Sequence, residues 1–395
     1  MNQRYRLPLF LFILCAAHIG CSRAQQEIPA GFYFPLPANP GEPVQSENQV
    51  FYLQAVADGL DIPWGMTFLP DQTILVTERK GTIRMIRNGT LLDDPLRGTP
   101  NVVAGGTGGL MDIAAHPDYR RNGWIYITYS AEGEDGATHT ALMRAKLSGQ
   151  QLLGREVLFT AQPMTSSPSH FGSRIAFQDG YVFFSTGDRG VPTLETAQDL
   201  SSHNGSILRL HDNGNVPSDN PFVNTEGAMP EIYSYGHRNP QGLEFDPETG
   251  WLWAHEHGPV DGDELNIIEK GANYGWPEIS YGEPNRGSEL SGDTAKAGLQ
   301  PAVRHWTPAI APSGLDFVSG ELYPEWKGNM LISTLRGEML LRLVLDGGRV
   351  AREEALLQGM GRLRNVRMGP DGLIYVANET TGEIVRLLPA ALFNE

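Results

Sequence analysis

Six segments of the chain repeat one local pattern, and this repetition limits the possible folds more than any other feature. They read FLPDQTILVTERKGTIRMIRNG, AAHPDYRRNGWIYITYS, IAFQDGYVFFSTGDRG, LEFDPETGWLWAHEHG, LDFVSGELYPEWKGNMLISTLRGEMLLRLVLDGG and VRMGPDGLIYVANETTGEIVRLLP. Each holds an apolar stretch, a turn rich in Pro, Asp, Asn or Gly, and an aromatic or β-branched strand. Alternation interrupted by Gly/Asp turns marks β-hairpins. Sustained helical periodicity is nearly absent. Copies spaced roughly 50 to 70 residues apart imply a radial all-β architecture. A six-bladed β-propeller is the economical solution, because sheets stacked around an axis bury both faces and leave only short edges. A pair of β-sandwiches is the alternative. A strand near Gln49 to Val56 is expected to close the ring. Inter-blade loops converge at one end of the central channel, so irregular polar segments between repeats are where chemistry is expected.

The N-terminus reads as a targeting segment. Arg4 and Arg6 precede the apolar run Leu7 to Ala17, which is too short to span a bilayer comfortably. The HIGC that follows resembles a bacterial lipoprotein processing site, which would put a lipid anchor on Cys21; cleavage after Ala24 is the alternative. Residues 1–24 are therefore expected to be a signal peptide, 25–48 a Pro-rich lead, and 49–395 the propeller domain. The protein is expected to be exported, to a periplasm or cell surface. Both cysteines, Cys15 and Cys21, lie in the signal segment. The mature domain thus has no disulfide and no Cys-based zinc or iron–sulfur site. A net charge of −16 and the lack of a basic patch with interleaved aromatics argue against a nucleic-acid partner.

Three segments carry more polar residues than turns require. In Gly236 to Pro277, Arg238 follows a short strand, and a Gly258-Pro259 pair is followed by Asp261, Asp263 and Glu264. Free carbonyls beside carboxylates suit a hard divalent cation such as calcium, although the spacing is not that of an EF-hand. An Asx-rich turn with solvated acids would look similar. In Ser166 to Arg174, His170 sits among small residues, where it could act as a general base or be a histidine satisfied by backbone. In Gly359 to Gly369, Arg362 and Arg364 alternate along one strand and face the same side, with Arg367 opposite. Such a pair could hold planar carboxylates bidentately, or be solvated charges on an edge strand. His116 recurs at a turn position shared with Pro70-Asp71 and Pro370-Asp371, which marks it as structural.

Taken together, these segments resemble the soluble pyrroloquinoline quinone (PQQ)-dependent sugar dehydrogenases, the glucose/aldose sugar dehydrogenase family. The resemblance runs from about Asp61 to Leu388. It is carried by YGHRNPQGL, the GPxxxDE pattern of Gly258 to Glu264 and KGANYGWP, with support from GGLMDIAAHPDY, HFGSRIAF and RLRNVRMGPDGLIYV. It implies a six-bladed propeller with PQQ and calcium at the channel mouth. It also implies that His170 is the general base and that Arg238 polarises the quinone carbonyl. Asn239 and Asp263 match cofactor contacts, as does Arg336, which replaces a lysine. Arg362 and Arg364 match the pair that holds the tricarboxylate. The carbonyls of Gly258 and Pro259 match ligands of the cofactor's calcium, and Glu264 and Tyr274 match ligands of a further calcium. Two other departures stand out. Thr107 replaces a Gln, and Ser169 replaces an Asp that steadies the base.

The resemblance makes the chain an enzyme oxidising the anomeric C1 of aldoses to lactones, with an external electron acceptor. No GxGxxG at a strand–helix junction suggests a nicotinamide site. Two other classes fit the fold: a calcium-dependent propeller lactonase, and a non-catalytic binding propeller. The first needs carboxylate and Asn ligands on the axis. The second draws on Thr107, Ser169 and Arg336.

Overall fold

Strands rich in Val, Ile, Leu and aromatics are stable where both faces can be buried, and radially stacked sheets provide that. The computed structural model describes residues 33–87, 89–190, 194–283 and 293–393. The signal segment and Cys21 lie outside them. The described residues form the expected six-bladed β-propeller. The innermost strands are Pro63–Phe68, Leu110–Ala115, Ile175–Gln178, Pro240–Phe245, Pro312–Phe317 and Leu363–Met368, in blades 1 to 6. Each pairs antiparallel with the strand that follows it, so the six repeated hairpins are the inner halves of the blades. Among the described residues the only α-helix is Tyr119–Asn122.

The ring closes as expected. Val50–Ala57 pairs with Glu383–Pro389, which makes an N-terminal strand part of the last blade. The Pro-rich lead packs on the ring: the Tyr33 hydroxyl donates to the Leu69 carbonyl at 2.7 Å, and Arg386 holds the carbonyls of Phe34 and Pro35 at 3.0 and 2.9 Å.

All six inner strands run the same way along the axis. At their starting ends the ladder slips in five of the six: between Pro63 and Met66, Leu110 and Ile113, Pro240 and Gly242, Pro312 and Leu315, and Leu363 and Asn365. Bulges at a sheet end re-aim side chains and stop pairing. They free this end of the channel, the front, for irregular loops.

Arg174 sits across the channel behind those loops. Its Nε donates to the carbonyls of Gln241 (2.7 Å) and Ser313 (3.2 Å), Nη1 to Asp112 (3.2 Å) and Nη2 to the Arg364 carbonyl (3.0 Å). Its guanidinium also stacks 4.0 Å from the Trp64 ring centre. One side chain of blade 3 thus touches all five other blades. Burial pulls its pKa down to about 9, against the opposing charge of Asp112.

Candidate active site

The front face is built by two kinds of loop, those between blades and those that follow each blade's second strand. His170 lies on the loop before blade 3, in the left-handed region at φ 52°; Ser173 (φ 92°) and Arg189 (φ 68°) share that unusual conformation nearby. Non-Gly residues held there carry strain and cluster at functional sites. Two amides and a carboxylate fix the strained loop. The His170 N–H donates to the Thr107 hydroxyl at 2.9 Å, and the Thr107 N–H donates to the Pro168 carbonyl at 2.9 Å. The His170 Nδ1 lies 2.6 Å from Asp188 Oδ1.

An ionised carboxylate only accepts, so Nδ1 carries the proton and, when the ring is neutral, Nε2 presents the lone pair. Burial alone would raise the Asp188 carboxyl. The hydrogen bond from His170, the charges of His170 and Arg238, and the Gly190 N–H outweigh burial and hold it below its ordinary value. Ser169 in place of an acid predicts a loosely oriented imidazole. The structure corrects this, because Asp188 reaches the ring from the loop after Tyr181–Ser185. That approach requires glycines: a Cβ at Gly187 would stand 2.2 Å from the His170 carbonyl oxygen.

The arginines gather around the same centre. His257 is pulled down to about 3, first by burial and then by the charges of Arg238, Arg364 and His170, so all three groups lie near this imidazole. The Arg238 Nη1 donates to the His257 carbonyl at 3.1 Å, and its backbone N–H donates to Glu256 at 2.5 Å. Asn239 Oδ1 accepts from the Gly172 N–H at 3.2 Å, tying the Arg238 loop to the His170 loop. Arg362 and Arg364 share Glu379: Arg364 Nε lies 2.7 Å from one carboxylate oxygen, and Arg362 Nε bonds the other. They meet on one carboxylate although the bulge between Leu363 and Asn365 interrupts strict alternation, and their exposures differ. Arg364 is buried, whereas the Arg362 side chain is 44 % exposed. Arg367 points to the other end of the channel and binds Glu244 at 2.6 Å.

The Gly258-Pro259 segment forms an open turn. Among the described residues, neither carbonyl accepts a hydrogen bond. Asp263 holds this turn rather than facing outward: its oxygens accept the N–H groups of Gly258 (3.0 Å), Ile310 (2.8 Å) and Ala311 (2.7 Å). Arg336 donates to the Val260 carbonyl at 3.1 Å from the exposed side. Glu264 is pushed well up by burial and by Glu256 beside it. Asn266 bridges this acid pair, and among the described residues its own buried Oδ1 finds no partner. Tyr274 stacks on His237, and its hydroxyl is already engaged by Ile267 and Glu269.

The sequence matches the Glucose / Sorbosone dehydrogenase family over residues 60–386. The chain belongs to that family. It is 38% identical over 346 residues to aldose sugar dehydrogenase YliI of Escherichia coli, covering 85% of this chain and 92% of that one. A crystal structure of a glucose dehydrogenase superposes with a TM-score of 0.82 at 38% identity, covering 85% of this chain and 98% of the other. The PQQ-bound aldose sugar dehydrogenase of Streptomyces coelicolor gives 0.69 at 32% identity, covering 86% and 98%.

Sequence reasoning missed three acids. Asp188, Glu256 and Glu379 end second strands or lie just beyond them, inside the repeated hairpins rather than between repeats. Aligning the strand ends STGDRG, AHEHGP and ANETTG would have shown that these loops reach the same face as His170.

Proposed function

We propose that the chain is an exported, PQQ- and calcium-dependent dehydrogenase that oxidises the anomeric carbon of aldoses to lactones and passes the electrons to an external acceptor. The observation carrying this reading is the His170–Asp188 pair, joined to Arg238 by the hydrogen bond that the Asp188 N–H donates to the Arg238 carbonyl at 2.8 Å. The donor set suits the cofactor. Three arginines at one mouth of a chain with net charge −16 suit a tricarboxylate. The open carbonyls of Gly258 and Pro259 suit the calcium that would accompany it. The Glu256–Glu264 pair, its first member buried and its second half-buried, and the unpartnered Asn266 oxygen among the described residues support a second cation at Glu264.

PQQ, when bound, supplies the carbonyl carbon that takes the sugar's hydride. His170 Nε2 takes the proton of the anomeric hydroxyl, so the sugar loses a proton and a hydride and becomes a lactone. Asp188 stabilises the imidazolium that forms. Arg238, oriented by the His257 carbonyl, would stabilise the negative charge that grows on the accepting carbonyl. Arg362 and Arg364 hold carboxylates, with Arg364 preset by Glu379. Asn239 and Asp263 keep the loops in place, and Arg336 restrains the Val260 turn. The basic, apolar and HIGC pattern before residue 25 supports export, with Cys21 as the acylated residue if a lipoprotein peptidase processes it.

The test is reconstitution with PQQ and calcium, followed by dye reduction with several aldoses and a calorimetric PQQ titration. Turnover with PQQ binding supports the reading. Lactone hydrolysis without PQQ would replace it with a hydrolase. Absence of PQQ binding would reject it.

A further inference from the structure

The KGANYGWP segment is not used by the chemistry above beyond Tyr274, yet it delivers the indole of Trp276 directly behind the base. Trp276 Nε1 donates to Asp188 Oδ2 at 2.7 Å. Oδ1 of the same carboxylate takes His170 Nδ1 at 2.6 Å and the Gly190 N–H at 2.7 Å. Donors on both oxygens leave this carboxylate no freedom to rotate. The face of the indole meets Arg238, whose guanidinium carbon lies 5.3 Å from the ring centre. The backbone that carries the ring is itself anchored: the Trp276 main-chain N–H donates to the Gly236 carbonyl at 2.8 Å, and its main-chain carbonyl accepts from Gln198 at 2.7 Å. Gln198 and Asn273 bind each other through both amides, at 2.7 and 3.0 Å.

We propose that Trp276 is a positioning residue that couples the two halves of the reaction, its N–H locking Asp188 behind His170 while its ring carries Arg238. This rests on the reading of His170 as the base. Trp276 acts through Asp188, so its effect is a matter of hydrogen bonding and is separable from packing.

W276F keeps the ring face under Arg238 and removes only the N–H. The single-turnover rate of aldose-driven cofactor reduction is expected to fall roughly 10- to 100-fold, the scale of one hydrogen bond to a charged group. PQQ affinity and the KM for aldose should change less than about twofold, because Arg238 keeps its support. In a D188N background W276F should cost nothing more; equal losses in both backgrounds would show plain packing and overturn the proposal.

A second readout needs no cofactor. The low-field proton resonance of His170 Nδ1–H, assigned by its loss in H170A, should broaden or vanish in W276F, and an unchanged signal overturns the proposal. If W276F does not fold, D188N in the otherwise unaltered protein decides: an indole N–H resonance should move, and none moving overturns it. Failure of the wild-type protein to oxidise any aldose would defeat the functional reading, while the resonances would still decide whether the indole locks Asp188.

Discussion

The two mouths of the axial channel are made from opposite ends of the same six strands, and both are rich in charge, yet they use it differently. At the back mouth the strands run regularly into turns. Arg367 binds Glu244 at 2.6 Å and lies 3.7 Å from Asp112, and Asp316 takes the Met368 N–H at 2.8 Å. Arg367, Glu244 and Asp316 floor a cavity of about 580 Å³ whose walls include Phe68, Ile113 and Phe177. Its charges satisfy one another. His116 likewise bonds the Asp118 N–H of its own turn at 3.0 Å, as its place in the repeat suggests. At the front, bulges end the ladders early and long loops take over. The His170 Nε2 and the exposed part of Arg362 stay available there. The same fold therefore yields a self-paired end and an open end, and the register slip of the inner strands divides them.

If that contrast holds, substitutions at the two ends should fail in different ways. The largest effect belongs to the front. H170A should lower turnover by roughly 10²- to 10⁴-fold, the usual contribution of a positioned general base, with little change in the urea midpoint. Retained turnover would remove His170 from that role. R174M tests the boundary between the ends. Removing a buried guanidinium leaves Asp112 and three carbonyls of other blades without their donor, and breaking such a buried pair typically costs about 3–5 kcal/mol. The urea midpoint should fall accordingly. A midpoint within error of the wild type would mean that the ring does not depend on its axial side chain.

The same contrast explains how far the sequence could be read. Alternation and turn chemistry depend on neighbours in the chain, so all six hairpins and the closing strand were legible. His170, Arg238 and Arg364 were legible as residues in excess of what their turns need. Their partners were not. Asp188 meets His170 across 18 positions, and Trp276 meets Asp188 across 88, through loops whose approach no local pattern encodes. Arg174 stands in the HFGSRIAF motif, yet its five-blade contact exists only once the ring is closed. The same-side placement of Arg362 and Arg364 was expected from strict alternation. The bulge between Leu363 and Asn365 interrupts that alternation, and Glu379 binds both arginines instead.

Within the front mouth, the two arginines should separate by exposure. R364K keeps the charge but cannot reproduce the planar fork held on Glu379. PQQ affinity measured by calorimetry should weaken roughly 10-fold, the lower end for a charged hydrogen bond in a buried setting. R362K, at a side chain that is 44 % exposed, should weaken it by about threefold or less. Equal losses at both positions would mean that burial does not set which guanidinium carries the cofactor.

The smallest effect is at the back mouth and appears only with pH. Burial pushes the Glu244 carboxyl up to about 7, with Asp316 adding to the rise and Arg367 opposing it, against an ordinary value of 4.5. Between those two values the folded protein holds a proton that the unfolded chain releases. Stability from this group therefore grows as pH falls from about 7 towards 4.5, and is lost as pH rises back through the window. E244Q keeps an oxygen for Arg367 to bind and removes the titration. Urea midpoints at several pH values across that window should rise more steeply on acidification in the wild type than in E244Q. Parallel profiles would show that Glu244 stays ionised in the folded protein, paired with Arg367 more firmly than its burial and the neighbouring Asp316 imply.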